Sequence, residues 1–237
     1  MNSRLNKNHV NWYNKNYYAN SDTSLPSWSL RLILELGREN LINKRILDLG
    51  CGEAKVLGEI YKKKGLDPKN LYGIDQSNKA VELARRNIPG SNIFQGDINN
   101  LSFKDGYFDY TFLLETIEHL EDPNKTLSEI SRVLKKEGVL FLSFPNYLNL
   151  PWFLVRILSQ ALNKPNWIVL QPIDKIYNIF QIFKLVERFG FKKEVVYGTC
   201  YLPPIIYKLE NAKLDDLLNK IGLSFLSFHP VIKFVRK

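Results

Sequence analysis

The sequence predicts an α/β domain: a seven-stranded, mostly parallel sheet with helices on both faces, an antiparallel last strand and an insertion after the fifth strand. Three observations lead to this fold class. Short apolar runs alternate with segments of helical periodicity between residues 45 and 145, glycines follow the first strand, and irregular proline-rich sequence interrupts the alternation from Asn146 to Asp174. Apolar strands linked by helices are typical of a parallel sheet covered on both faces.

The predicted elements follow one another along the chain. After a polar lead-in at 1–27, a first helix is expected over 28–42, because leucine and isoleucine recur there at helical spacing. The strands are predicted at 45–49, 71–74, 92–95, 108–114, 139–144, 191–197 and 231–235. The remaining helices are predicted at 54–64, 78–87, 123–136, 176–189 and 209–221. Gly138 and Pro145 punctuate the two ends of the fifth strand.

Length and composition restrict the class of protein. With 237 residues and 45% hydrophobic content the chain can bury one core, so a single domain over 1–237 is expected. The net charge of +9 comes from dispersed lysines without a run of five basic residues, which argues against a nucleic-acid-binding face. No apolar run reaches the roughly 18 residues of a membrane span, and the two cysteines lack metal-type spacing, so we expect a cytoplasmic protein with reduced thiols.

The turn after the first strand is the most informative motif. It reads Asp48-Leu-Gly-Cys-Gly-Glu-Ala54, and its glycines let backbone approach a ligand closely. A dinucleotide fold would need a third small residue where this chain has Lys55, so an NAD-dependent oxidoreductase is the weaker alternative. The motif resembles motif I of the Rossmann-like S-adenosylmethionine-dependent methyltransferases, with Ala54 where that family usually has glycine.

Acidic residues follow the next two strands. Asp75 ends the second strand, where a carboxylate can accept hydrogen bonds from both ribose hydroxyls, as it would in a dinucleotide fold too. Asp97 and Ile98 resemble the family's adenine clamp, in which the acid binds the amino group and the apolar side chain covers the ring. The resemblance implies S-adenosylmethionine as donor, S-adenosylhomocysteine as product, and donor-binding roles for Asp48, Gly50, Cys51, Gly52, Asp75, Gln76, Asp97, Ile98, Leu114 and Glu115.

The stretch from Leu113 to Pro123, LLETIEHLEDP, resembles that of Methyltransferase-11 proteins and ubiquinone-biosynthesis O-methyltransferases. Glu115, Glu118 and His119 are spaced so that their side chains can converge on one helical turn. His119 is the predicted general base, with Glu118 as its catalytic partner, because histidine takes up protons near neutral pH. In ubiquinone-type enzymes this set holds a divalent cation. A metal is not favoured here, since a hard cation wants more oxygen ligands than two carboxylates. The family pattern alternatively puts Glu115 beside the amino end of the donor.

The resemblance divides the domain into a donor-binding core at 45–145 and acceptor-side insertions at 146–175 and 198–222. The predicted function is O-methylation of a small-molecule, glycan or lipid-like acceptor, covered by aromatic residues such as Trp152 and Trp167. Residues 150–162 also fit an amphipathic helix in contact with a membrane. Both a monomer and a homodimer agree with the sequence. A methyltransferase-like binding module without activity is the alternative, and the presence of the donor acids together with His119 favours an enzyme.

Overall fold

A computed structural model describes residues 39–162, 172–202 and 212–237, together with the isolated Asn11. The strands are β1 (Ile46–Leu49), β2 (Leu71–Asp75), β3 (Asn92–Gln95), β4 (Phe108–Leu114), β5 (Leu134–Ser143), β6 (Phe191–Tyr197) and β7 (Val231–Arg236). The helices are α1 (Lys55–Lys64), α2 (Asn78–Asn87), α3 (Pro123–Val133), α4 (Leu150–Ala161), α5 (Ile179–Glu187) and α6 (Ala212–Lys220).

The seven strands form one sheet in the order β3-β2-β1-β4-β5-β7-β6. The pairs among β1 to β5 are parallel. β7 is antiparallel to both of its neighbours, with Val231 opposite Ser143. The predicted mostly parallel sheet with an antiparallel last strand is confirmed. The ends of β1 to β5 and the start of β7 therefore meet at one edge of the sheet, which we call the carboxyl edge.

The core lies on both faces of the sheet. On one face, α3 and α5 bury apolar residues at helical spacing, among them Leu127, Ile130, Ile179 and Ile182. On the other face, α1 and α2 bury a second apolar cluster. Since parallel strands expose neither face to water, this double cover explains why the strands read as apolar runs.

The structure corrects the bounds of several predicted helices. The helix expected over 123–136 ends at Val133, because Leu134 already pairs with Phe108 as the first residue of β5. The helix expected over 28–42 does not reach 42, since residues 39–42 are not helical, and 28–38 lie outside the described residues. The helices expected at 176–189 and 209–221 are described as α5 and α6, the latter from residue 212 onward.

The insertion after β5 contains α4, which is polar inside and apolar outside. Its inner face buries Arg156, which is 5% exposed, whereas Leu150, Leu154 and Leu158 on the outer face are 66%, 57% and 49% exposed. Among the described residues, no helix combines the length and apolar character needed to cross a membrane. The lead-in at 1–27, Asn11 apart, and Trp167 lie outside the described residues.

Candidate functional site

A loop with two glycines joins β1 to α1 at the carboxyl edge. Gly50 and Gly52 have φ values of 69° and 53°, in the left-handed region that favours glycine. The N–H of Gly50 donates to the carbonyl of Ile74 at 2.8 Å and fastens the loop to the end of β2. A Cβ on Gly50 would lie 2.7 Å from the Thr116 side chain. Position 50 thus requires glycine, and the backbone at Gly50 and Gly52 carries no side chains.

Asp75 closes β2 beside this loop. Its Oδ2 accepts the N–H of Gly52 at 2.9 Å, and its Oδ1 accepts the N–H of Ser77 at 2.8 Å. Burial raises the pKa of Asp75, and these backbone hydrogen bonds act in the opposite direction. The carboxylate is therefore fixed in orientation. The next residue, Gln76, is half-buried, and its carbonyl accepts a hydrogen bond from the Gln95 side chain at 3.0 Å.

Two further predicted residues are buried, one in β1 and one within the loop. Asp48 is buried in β1, where burial and then the negative charge of Asp75 raise its pKa to about 7. Cys51 is also buried, and its Sγ lies 3.0 Å from the place a Cβ on Gly73 would take. Two carboxyl groups thus share a poorly hydrated region, which favours a positively charged ligand over an anionic one.

Asp97 and Ile98 follow β3 at the same edge, since the N–H of Gly96 donates to the Asp75 carbonyl at 3.0 Å. The exposed Asp97 carboxylate accepts hydrogen bonds from the N–H and the side-chain amide of Asn99, at 2.9 and 3.0 Å. Ile98 is buried within the core cluster on the α3 and α5 face. The two residues expected at an adenine ring are therefore adjacent, with the acid outside and the isoleucine anchored in the core.

The end of β4 brings Glu115 to the carboxyl edge. Leu114 is half-buried, and Glu115 has a φ of 47°, which is unusual for a residue with a Cβ. Ser143 donates its hydroxyl to Glu115 Oε1 at 2.7 Å, and Glu115 Oε2 lies 3.0 Å from Nδ1 of His229. Glu115 therefore stands between the end of β5 and the segment that precedes β7.

Glu118 and His119 lie on a single 3-10 turn, Ile117–His119. Glu115 precedes this turn with a left-handed backbone, so the three predicted residues do not share one regular helical turn. Glu118 is 2% exposed, and its pKa is raised well above its usual range by burial and then by the charge of Glu115. His119 Nδ1 lies 2.7 Å from the Ile173 carbonyl oxygen, and burial is the main cause that lowers the pKa of His119. Within the described residues, no group of three or more His, Cys, Asp or Glu is arranged to hold a metal ion.

The insertion contributes a polar and an aromatic contact next to these residues. Arg156 donates to the Asp174 carboxylate at 2.6 Å and to the Tyr147 hydroxyl at 2.8 Å. The Trp152 ring stacks on Phe228 with a centroid distance of 4.3 Å and an interplanar angle of 1°. The stacked rings attach α4 to the segment before β7. The Arg156 guanidinium can be buried because Asp174 and Tyr147 accept its hydrogen bonds.

His229 is one of two residues of this site that the sequence patterns do not identify, because it lies far from the motifs. The signal was the antiparallel last strand. A strand antiparallel to β5 must begin at the carboxyl edge, so the residues just before Val231 belong to the same edge as the glycine loop. Ser143 was missed for the same reason, since only the sheet order brings it to Glu115.

Residues 47–142 match the Methyltransferase-11 family model, described as a methyltransferase domain. An uncharacterised 37.1 kDa protein of a Streptomyces fradiae transposon is 37% identical over 105 residues, 43% of this chain and 30% of that protein. The ubiquinone biosynthesis O-methyltransferase of Thiobacillus denitrificans is 26% identical over 182 residues, 73% of this chain and 75% of that protein. This chain spans about a third to a half of the length of the first curated relatives it matches.

Solved structures share the fold over almost the whole chain. An S-adenosylmethionine-dependent methyltransferase from Thermotoga maritima covers 99% of both chains with a TM-score of 0.64 at 21% identity. The magnesium protoporphyrin IX methyltransferase of Synechocystis, solved with bound S-adenosylhomocysteine, covers 96% of this chain and 98% of its own with a TM-score of 0.67 at 14% identity. The resemblance expected from the motifs is confirmed: residues 47–142 are similar to methyltransferase domains, and the chain shares its fold with solved S-adenosylmethionine-dependent methyltransferases.

Proposed function

We propose that this protein transfers the methyl group of S-adenosylmethionine to a hydroxyl oxygen of a small-molecule, glycan or lipid-like acceptor. The observation that carries the proposal is the cradle formed by Gly50, Gly52 and Asp75 at the carboxyl edge. Open α/β sheets bind ligands at this edge. The cradle offers bare backbone for close approach and a carboxylate fixed by two backbone N–H groups.

The electrostatics of the cradle support a cationic donor. Asp48 is buried and Asp75 is half-buried beside it, and the pKa of each is raised mainly because burial disfavours the charged form. When bound, S-adenosylmethionine supplies a methyl group on a positively charged sulfur, which reacts by in-line displacement. The task of the chain is then to align donor and acceptor and to exclude water.

The proposed roles of the donor-side residues follow their positions. Asp75 binds the ribose hydroxyls, Asp97 the adenine amino group, and Ile98 lies against the ring. Glu115 lies at the amino end of the donor, and the remaining residues line the cradle through backbone or buried contacts: Asp48, Gly50, Cys51, Gly52, Gln76 and Leu114.

On the acceptor side, Glu118 and His119 are the proposed catalytic residues. Burial favours the uncharged form of both, because it raises the pKa of Glu118 and lowers that of His119. Oε2 of Glu118 is buried without a hydrogen-bond partner among the described residues, which supports a role toward a bound acceptor. The acceptor-side insertions, 146–175 and 198–222, complete this part of the proposed site.

Calorimetric titration with S-adenosylhomocysteine tests the donor site. Asp75→Ala is expected to weaken binding by about tenfold or more, because hydrogen bonds to a charged group contribute about 1.5–3 kcal/mol each. Asp67→Ala is the matched control. Asp67 precedes β2 at the opposite edge, where it accepts the N–H of Lys69 at 2.9 Å. Equal affinity in wild type and Asp75→Ala, with both variants folded by circular dichroism, would contradict the proposal.

The acceptor side is tested by turnover. Formation of S-adenosylhomocysteine from S-adenosylmethionine is measured with a panel of phenols, sugar alcohols and isoprenoid head groups. With the best acceptor, His119→Asn is expected to lower kcat by about 100-fold or more while donor affinity stays unchanged. Turnover equal to wild type in this variant would remove His119 from the chemistry. Donor binding without turnover of any acceptor would instead favour a binding module.

A further inference from the structure

His229 and Glu115 form a second histidine–carboxylate pair at the carboxyl edge. The antiparallel course of β7 puts its first residue, Val231, opposite Ser143 at the end of β5. Glu115 follows the end of the neighbouring β4, and its N–H donates to the carbonyl of Ser143 at 3.1 Å. The next residue along the chain, Thr116, packs against Gly50. The pair therefore adjoins the glycine loop.

Both members of the pair are held in place. Ser143 fixes Oε1 of Glu115 at 2.7 Å, which leaves Oε2 to face His229 Nδ1 at 3.0 Å. The backbone N–H of His229 donates to the Thr199 carbonyl at 3.1 Å, and the Thr199 hydroxyl donates to the His229 carbonyl at 2.7 Å. The two side chains are 18% and 20% exposed, so both are shielded but still reach solvent.

The pair resembles a general base, His229, with the carboxylate that orients it, Glu115. The 3.0 Å contact is close, but it is not aligned as a hydrogen bond, and Nδ1 of His229 has no other partner among the described residues. Catalytic hydrogen bonds are often poorly aligned before substrate binds. A carboxylate at one ring nitrogen holds the proton there and leaves the other nitrogen to accept a proton.

Glu115 itself supports a functional role because its backbone is strained. A residue with a Cβ in the left-handed region costs about 1–2 kcal/mol, and such strain is concentrated at functional sites. The φ of 47° directs the carboxylate toward Ser143 and His229 instead of continuing the strand.

We propose that His229, oriented by Glu115, accepts the proton of the methyl acceptor, and that this acceptor carries an acidic hydroxyl of the phenol or enol kind. The inference rests on the proposed methyl transfer. As the acceptor oxygen forms its bond to the methyl carbon, the bond from that carbon to sulfur breaks and its electron pair stays on sulfur. The hydroxyl proton passes to Nε2 of His229.

The acceptor class follows from the strength of the base. A phenolic hydroxyl has a pKa near 10, a few units above that of an imidazole, whereas an aliphatic hydroxyl is a far weaker acid. The surroundings suit a flat ring, because His229 lies edge-on to Phe228 at 4.5 Å and Phe228 stacks on Trp152.

The geometry distinguishes His229 from His119. Nδ1 of His119 contacts the Ile173 carbonyl at 2.7 Å, and its Nε2 lies 3.5 Å from a Glu118 oxygen, so both ring nitrogens face the protein. In the proposed arrangement, Oε2 of Glu118 and the ring of His119 position the acceptor from the insertion side, and His229 takes the proton.

The experiment uses the full chain loaded with S-adenosylhomocysteine, which cannot donate a methyl group, and 4-nitrophenol as the probe. The absorbance of the phenolate is recorded at a pH below the ionisation of the free probe. Wild type is expected to bind the probe and to generate about one phenolate per site. His229→Asn is expected to lower this phenolate by about tenfold or more. Glu115→Gln should lower it by a smaller factor, whereas Glu187→Gln, an exposed carboxylate on α5, should equal wild type.

The outcomes distinguish a failure of the proposed methyl transfer from a failure of the proposed proton transfer to His229. Failure of wild type to bind S-adenosylhomocysteine would overturn the proposed function itself. Donor-product binding without probe binding or without the phenolate signal would overturn this inference alone. Retention of the signal in His229→Asn with its loss in His119→Asn would assign the proton to His119 instead. The thermal midpoint checks the folding of every variant. For His229→Asn, the affinity for S-adenosylhomocysteine is a second check.

Discussion

Gly50→Ala should damage the glycine loop through two separable effects. The left-handed φ of 69° would cost a residue with a Cβ about 1–2 kcal/mol. The new Cβ would also lie 2.7 Å from both Cγ2 and Oγ1 of Thr116. That side chain has little room to yield, since its hydroxyl donates to the Leu114 carbonyl at 2.8 Å. Such overpacking typically costs about 1–3 kcal/mol. The expected loss is therefore about 2–5 kcal/mol in the free energy of unfolding, from these two terms together.

Urea denaturation of wild type and four variants measures both effects. Gly106→Ala isolates the backbone term, because Gly106 has a φ of 61° and no atom lies within 4 Å of its Cβ position. Thr116→Ala and the double variant with Gly50→Ala complete a cycle, in which the coupling should be about 1–3 kcal/mol. Equal stabilities of Gly50→Ala and Gly106→Ala would refute the steric argument. S-adenosylhomocysteine affinity should fall in Gly50→Ala and stay at the wild-type value in Gly106→Ala.

Three further predictions concern buried and exposed side chains. Burial raises the pKa of Asp48 to about 7 from a usual 3.8, so the folded state binds its proton more tightly than the unfolded chain and stability falls as pH rises between these values. Asp48→Asn should therefore reduce the loss of stability between about pH 5 and about pH 8, by at most about 3 kcal/mol, and an unchanged pH dependence of urea unfolding would count against it. Asp174→Asn leaves the Arg156 guanidinium buried without its counter-charge and should cost about 3–5 kcal/mol, whereas a thermal midpoint equal to wild type would argue that the pair is dispensable. Leu154→Asp on the apolar face of α4 should reduce co-sedimentation with phosphatidylglycerol vesicles relative to Leu217→Asp, an exposed leucine of α6, and identical sedimentation of both variants would contradict membrane contact through α4.

The residues proposed for the donor side could be predicted from sequence, because their positions depend on local patterns. Short apolar strands ending in Gly50, Asp75 and Asp97 put these residues at one edge as soon as the strands are parallel. No long-range information is needed beyond the alternation of strands and helices. The same reasoning gave the α/β class and all seven strands.

The acceptor side was less accessible because it depends on tertiary contacts. The residue types do not predict the left-handed backbone of Glu115 or the early start of β5 at Leu134. Periodicity likewise identifies β7 as a strand without naming its neighbours, and the place of His229 follows from those neighbours.

The insertion of β7 between β5 and β6 also sets an order of assembly. Among β1 to β5, three of the four pairs join consecutive strands and only β1 with β4 skips two strands, so most of this half of the sheet can form from consecutive units. β7 pairs with β5 across the whole of the insertion, and this closure is the entropically expensive step. A partly folded chain can therefore contain the glycine loop before His229 reaches the carboxyl edge. The glycine loop and His229 come together in the proposed site only when β7 pairs with β5.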